Sequence, residues 1–165
     1  LAGDASSRTS VVLAQAVLAR RYQVRPTLVS YPPDLSSMLA AADAAVLIGD
    51  PALRLDLQNL PYSVLDLGQE WMELTGLPMV FAVWACRKGC LTPELAPMLR
   101  DSCRFGLQHL DEIVRLEAPR RGIPEELARE YLTRRIVLEL GEREYEGLHV
   151  FLSQARQFDT LVSAA

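Results

Sequence analysis

The chain has 165 residues, half of them apolar, with a formal net charge of −4 and a pI of about 5.2. That length suits one domain with a real core, since roughly 70 % of the unfolded-chain surface is buried at this size. The acidic balance argues against a nucleic-acid binder, which needs a basic face: basic residues never run longer than pairs such as Arg20-Arg21, Arg120-Arg121 and Arg134-Arg135, and no apolar run reaches membrane-spanning length.

Leu1–Asp4 reads as the tail of a strand already under way. No initiator Met precedes it, so the chain reads as a fragment and the absence of a leader carries no weight. Leu13, Ala14, Ala16, Val17 and Leu18 fall at helical spacing and predict a helix over 8–22. "TLVSY" (27–31) predicts a strand, and "DLSSMLAAAD" (34–43) a helix capped by Asp34. "AAVLIGD" (44–50) is almost wholly apolar, as a strand buried on both faces would be. "PALRL" (51–55) starts a helical turn with Pro in a favoured position.

"YSVLDLG" (62–68) predicts a strand and turn, "QEWMELTG" (69–76) a short helix closed by Gly76, and "PMVFAVWACR" (78–87) the strongest strand of the chain. Trp71 and Trp84 both lie in apolar surroundings and are expected in the core. Cys86, Cys90 and Cys103 are too few and too odd in number for a disulfide framework, which points to a reducing compartment. Cys86 and Cys90 lack a second pair for a zinc site, and His109 and His149 have no ligand spacing, so no metal is expected.

After Gly89 the pattern turns to long helices. Leu95, Leu99, Cys103, Leu107, Leu110 and Val114 mark one face of a helix over about 92–117. "PEELAREYLTRR" (124–135) has a good helix start, "RIVLEL" (135–140) is ambiguous, and Tyr145, Leu148, Phe151, Leu152 and Ala155 mark a final amphipathic helix. The order is an α/β part (1–89) followed by a helical part (90–165), with no internal repeat.

The densest candidate chemistry is "SSRTS" (6–10), a hydroxyl and guanidinium cluster where a strand feeds a helix. A helix N-terminus offers unpaired N–H groups and a positive dipole end, and Arg8 can hold a carboxylate bidentately. Ser6, Ser7, Arg8 and Thr9 are therefore a candidate anion seat; capping by one hydroxyl with a solvated Arg8 is the competing reading. Gly49-Asp50 ends a buried strand, where α/β sheets place their ligand crevice. Gly49 permits close backbone approach; Asp50 could accept a hydroxyl hydrogen bond, act as a base, or cap the next helix. Asp66-Leu67-Gly68 has the same readings. Nothing points to nucleophilic catalysis.

"SSRTSVVLAQ" (6–15), "AAVLIGDPAL" (44–53), "DLGQEWMELTGLP" (66–78), "VFAVWACRKG" (80–89) and "ELGEREYEGLHVFL" (139–152) together resemble the chorismate dehydratases of the futalosine route to menaquinone. The resemblance spans nearly the whole chain. It implies an α/β, type II periplasmic-binding-protein-like lobe, a parallel-type sheet flanked by helices, in residues 1–89. The helices of 90–165 would run back to an N-terminal lobe that precedes Leu1 in the family, so this chain would carry one wall of a cleft and could be inactive or self-associate alone.

The implied activity is a cytoplasmic, cofactor-free carbon–oxygen lyase that dehydrates chorismate to 3-[(1-carboxyvinyl)oxy]benzoate. Ser6, Ser7, Arg8 and Thr9 would hold the dianion, with Gly49 and Asp50 beside them. No catalytic base is assigned; the substrate's own carboxylate is one candidate. The sister dihydroxynaphthoate synthases share the 66–78 pattern but look to carry His where this chain has Gly49, which favours the dehydratase. A carboxylate-binding protein without turnover is the other alternative.

Overall fold

The computed structural model describes residues 1–90 and 92–158. They form two compact units, one of Leu1–Ala82 with the chain from Leu140, the other Val83–Glu139. The chain is α/β, and the first unit holds its three-stranded parallel sheet in the order β2-β1-β3, with β1 Ala2–Asp4, β2 Val29–Tyr31 and β3 Ala45–Val46. Asp4 pairs with Tyr31, Gly3 with Ser30 and Val46, and Ala2 with Val29 and Ala45.

Helix α1 (Arg8–Arg21) is the centre of this unit. Ser10–Ala14, Ala16 and Val17 are all buried, because α1 is covered on two sides. Val11 and Ala14 pack toward the sheet with Val46. Val12, Leu13, Ala16 and Val17 pack with Trp71 of α4 (Leu67–Thr75) and Phe151 of α8 (Glu142–Ala155). Gly3 lets α1 lie close on β1, since a Cβ there would stand 2.9 Å from Val11 Cγ2 and 3.1 Å from Leu28 Cδ1. Helix α2 (Leu35–Ala41), capped by Asp34 as expected, links β2 to β3 and buries Met38 completely. With the right-handed crossovers usual between parallel strands, the order β2-β1-β3 assigns α1 and α2 to opposite faces of the sheet.

Arg21 and Glu70 join α1 to α4. Arg21 Nε lies 3.1 Å from Glu70, Arg21 Nη2 lies 2.6 Å from Glu73, and the Tyr22 hydroxyl donates to Glu70 at 2.9 Å. At the foot of α4, Asp66 accepts from the N–H groups of Gly68 and Gln69 at 2.8 and 3.1 Å, so the capping reading describes this residue. Gly76 ends α4 at φ +73°, as expected.

Several sequence expectations are corrected. Among the described residues, 62–66 and 78–87 form no strand. Their apolar and β-branched residues have strand propensity, but propensity supplies no neighbouring ladder, and Tyr62, Val64, Phe81 and Val83 are about half exposed. Trp84 is 84 % exposed, whereas Trp71 is fully buried. The strand expected over 44–50 pairs only at Ala45–Val46, because Gly49 at φ +63° turns the chain into the short helix α3 (Gly49–Leu53). On α8 the buried face is Gly147 and Phe151, while Tyr145 and Leu152 are about half exposed.

The second unit contains α5 (Leu95–Gln108), α6 (Leu110–Arg121) and α7 (Glu125–Glu130), which runs into a π-helical turn at Tyr131–Arg135. The single helix expected over 92–117 is interrupted at His109. Its ring stacks on Phe105 at 4.0 Å and sets Nδ1 2.8 Å from the Phe105 carbonyl oxygen, folding back onto the preceding turn. The compact units cut the chain differently from the 1–89 and 90–165 division, since α8 belongs with the sheet.

Candidate functional site

β1 is central in the sheet, and its two neighbours run parallel to it. The carboxyl ends of all three strands therefore lie along one edge, followed by Ala5–Ser7, Pro32–Asp34 and Leu47–Ile48. The chain leaves β1 through α1 to reach β2 on one side, then crosses through α2 to β3 on the other. This is a topological switch point between β1 and β3, where doubly wound sheets open a ligand crevice. The two sets of candidate residues, Ser6–Thr9 and Gly49-Asp50, follow these two strands and flank that point.

Ser7 is the N-cap of α1 and accepts from the Ser10 N–H at 3.2 Å. That bond occupies a lone pair of Ser7 Oγ and leaves its own hydrogen to donate. Ser6 is engaged differently: its N–H and hydroxyl donate to Asp4 Oδ1 at 2.8 and 2.6 Å. Ser6 and Arg8 are exposed, and Ser7 and Thr9 are half-buried. Ser7 thus caps α1, as the capping reading has it, while Ser6's hydroxyl hydrogen is taken up by Asp4.

Gly49 is exposed and Asp50 half-buried in the first turn of α3. A Cβ at Gly49 would meet nothing within 4 Å, so glycine answers the positive φ there and the space beside it is open. An open cavity of about 470 Å³ adjoins this turn, lined by Asp34, Leu39, Leu47, Pro51, Arg54 and Tyr62 among others. Bonding to the Ser37 N–H, with Ser37's hydroxyl adding to it, holds the Asp34 carboxyl below its usual range. A smaller cavity of about 170 Å³, between Gln15, Arg25 and Phe158, involves none of the candidate residues.

The sequence reading passed over Asp4 except as part of a strand. It is 2 % exposed at the carboxyl end of the central strand, and its Oδ2 has no hydrogen-bond partner among the described residues. The signal was a charged residue directly ahead of the hydroxyl cluster, in "GDASSRTS". No group of His, Cys, Asp and Glu fit to hold a metal ion occurs among the described residues.

A family described as menaquinone biosynthesis matches residues 1–157. The chain belongs to that family. Within the menaquinone-biosynthesis family it resembles a chorismate dehydratase of Thermus thermophilus, being 36 % identical over 111 residues that cover 58 % of this chain and 41 % of the relative. It also resembles a chorismate dehydratase of Campylobacter jejuni, being 50 % identical over 44 residues, or 27 % of this chain and 19 % of that one. The matched stretches cover 41 % and 19 % of those relatives, so this member of the family spans only part of their length.

Proposed function

We propose that this chain is part of a chorismate dehydratase and carries one wall of its substrate site. The observation that carries the reading is the convergence of Ser6–Thr9 and Gly49-Asp50 on the switch point of the sheet, in a member of the menaquinone-biosynthesis family. The relatives named chorismate dehydratases support it. The sheet and its flanking helices would then be a lobe of the type II periplasmic-binding-protein kind, and the enzyme cytoplasmic.

The reaction removes one ring hydrogen as a proton and the ring hydroxyl as hydroxide, which leave together as water. The product, 3-[(1-carboxyvinyl)oxy]benzoate, is aromatic, and aromatisation supplies the driving force without a cofactor. The protein's part is to hold a dianion in a reactive pose and to handle a proton. Arg8, the Ser7 hydroxyl, Thr9 and the first-turn N–H groups of α1 supply positive potential on an otherwise acidic chain. Gly49 and Asp50 form the adjoining edge, where the open space beside Gly49 admits the ring.

The experiment is to incubate the protein encoded by the complete gene with chorismate and follow the aromatic product by absorbance and mass. Stoichiometric conversion is expected; unaltered chorismate with measurable binding would leave a carboxylate-binding protein instead. The sister synthase is disfavoured by Gly49, which provides no imidazole at that place.

A further inference from the structure

We propose that Asp4 is a positioning residue that fixes the polarity of Ser6, so that the site selects carboxylates that also carry a hydroxyl. This rests on the dehydratase reading for the identity of the ligand, though not for the geometry. A serine hydroxyl has one hydrogen and two lone pairs, and an ionised carboxylate only accepts. The 2.6 Å contact from Ser6 Oγ to Asp4 Oδ1 is short even for a hydroxyl on a carboxylate, and Oδ1 also takes the Ser6 N–H at 2.8 Å. Ser6's hydrogen is therefore held inward, and what the exposed side chain shows just ahead of the α1 N-cap is acceptor lone pairs.

Asp4 is placed to hold this arrangement. It is 2 % exposed, it pairs with Tyr31 at the end of β1 while pairing with β3 stops at Gly3, and one carboxylate oxygen is sealed without a partner among the described residues. Burying an unpaired polar oxygen is costly, so its presence beside the hydroxyl cluster calls for a role. Ser7 has the opposite polarity, accepting from the Ser10 N–H and keeping a hydrogen to give. Adjacent hydroxyls thus offer a donor suited to a carboxylate and an acceptor suited to a hydroxyl. Chorismate carries both groups; its dehydration product keeps both carboxylates and has lost the hydroxyl. Ser6 would then be left without a partner, which favours release of product over substrate.

The test uses the protein encoded by the complete gene and two unreactive dianions that differ in one hydroxyl: 3-(carboxymethoxy)-4-hydroxybenzoate and 3-(carboxymethoxy)benzoate. Dissociation constants are measured by calorimetry for the unchanged protein, Asp4→Ala, Ser6→Ala and the double variant. The unchanged protein should bind the hydroxylated probe about tenfold more tightly, a typical effect of leaving one buried group unpaired. An amide at position 4 would keep its oxygen toward the Ser6 N–H and still accept from the hydroxyl, whereas Asp4→Ala removes the acceptor and frees Ser6's hydrogen to turn outward, so Asp4→Ala should erase that preference. The affinity for the probe without hydroxyl should stay within about twofold, and the double variant should match the single ones.

Equal affinity for both probes in the unchanged protein, or equal weakening of both by Asp4→Ala, would overturn the proposal, and so would no binding of either. If Asp4→Ala fails to fold, Ser6→Ala makes the same comparison through an exposed side chain. Selectivity without conversion of chorismate would remove the dehydratase reading and leave Asp4's role standing.

Discussion

The α-carbon of Gly147 faces the carbonyl oxygen of Pro78 so closely that a methyl group on it would lie 2.2 Å from that oxygen. Arg143, one turn earlier on α8, donates to the Gly76 carbonyl at 2.6 Å. The chain leaving α4 and the last helix are thus fitted backbone to backbone. Gly147→Ala should destabilise the protein by at least the ~1–3 kcal/mol usual for overpacking, because a carbonyl cannot rotate away as a side chain can. Urea denaturation measures it; a midpoint equal to that of the unchanged protein would mean that α8 does not seat here.

Trp71 meets Phe151 edge to face, at 5.7 Å between centroids and 86° between planes. Trp71→Ala should cost about 3–5 kcal/mol, as expected for an emptied aromatic site. Trp84→Ala should fall within about 0.5 kcal/mol of neutral, because its side chain lies in solvent. Fluorescence separates the two tryptophans in this 165-residue chain: Trp84→Phe should remove the part of the emission that acrylamide quenches and leave a blue-shifted remainder from Trp71.

The α1–α4 latch gives stability a pH dependence. Hydrogen bonding from Gln69, with Arg21 adding a bond and its charge, holds the Glu73 carboxyl below its ordinary value of 4.5. A depressed carboxyl stabilises the fold above its unfolded value, and the contribution is lost as pH falls through the lower folded value. Hydrogen bonding to Glu70 raises the Tyr22 hydroxyl above 10.0, so its contribution is complete below that value and lost as pH rises through the folded one. Thermal melts should therefore decline below about pH 4.5 and above about pH 10. Arg21→Ala should flatten the acid limb, and an acid limb of unchanged steepness would count against the latch.

Arg8→Ala should weaken chorismate binding by about 1.5–3 kcal/mol, the usual worth of a hydrogen bond to a charged group. Gly49→Ala should weaken binding as well, by putting a methyl group into the space that admits the ring, and lower stability by about 1–2 kcal/mol through its positive φ. Calorimetric titration should find both variants weakened and thermal melts should find Gly49→Ala less stable; full affinity in Gly49→Ala would place the ring away from α3.

What could be read from the sequence was local chemistry. The Asp34 and Asp66 caps, the Gly76 stop and helix α1 were legible because each depends on residues within one or two turns. The apolar runs at 62–66 and 78–87 were misread because their composition fits a strand while pairing depends on a distant neighbour. His109 broke a helix whose apolar period runs straight through it. At the site, the hydroxyl cluster stood out by composition, but the division of labour between Ser6 and Ser7 did not. That division depends on the direction of one hydroxyl toward Asp4, which no residue pattern encodes.

The central claim is that the carboxyl edge of the sheet, between the ends of β1 and β3, seats the ligand's carboxylate. A crystal structure of the protein encoded by the complete gene, bound to the dehydration product, tests it most directly. A carboxylate within hydrogen-bond reach of Arg8 and the Ser7 hydroxyl, with the ring beside Gly49, is the predicted result. A ligand bound elsewhere, with the first turn of α1 facing only solvent or covered by other side chains, would contradict it.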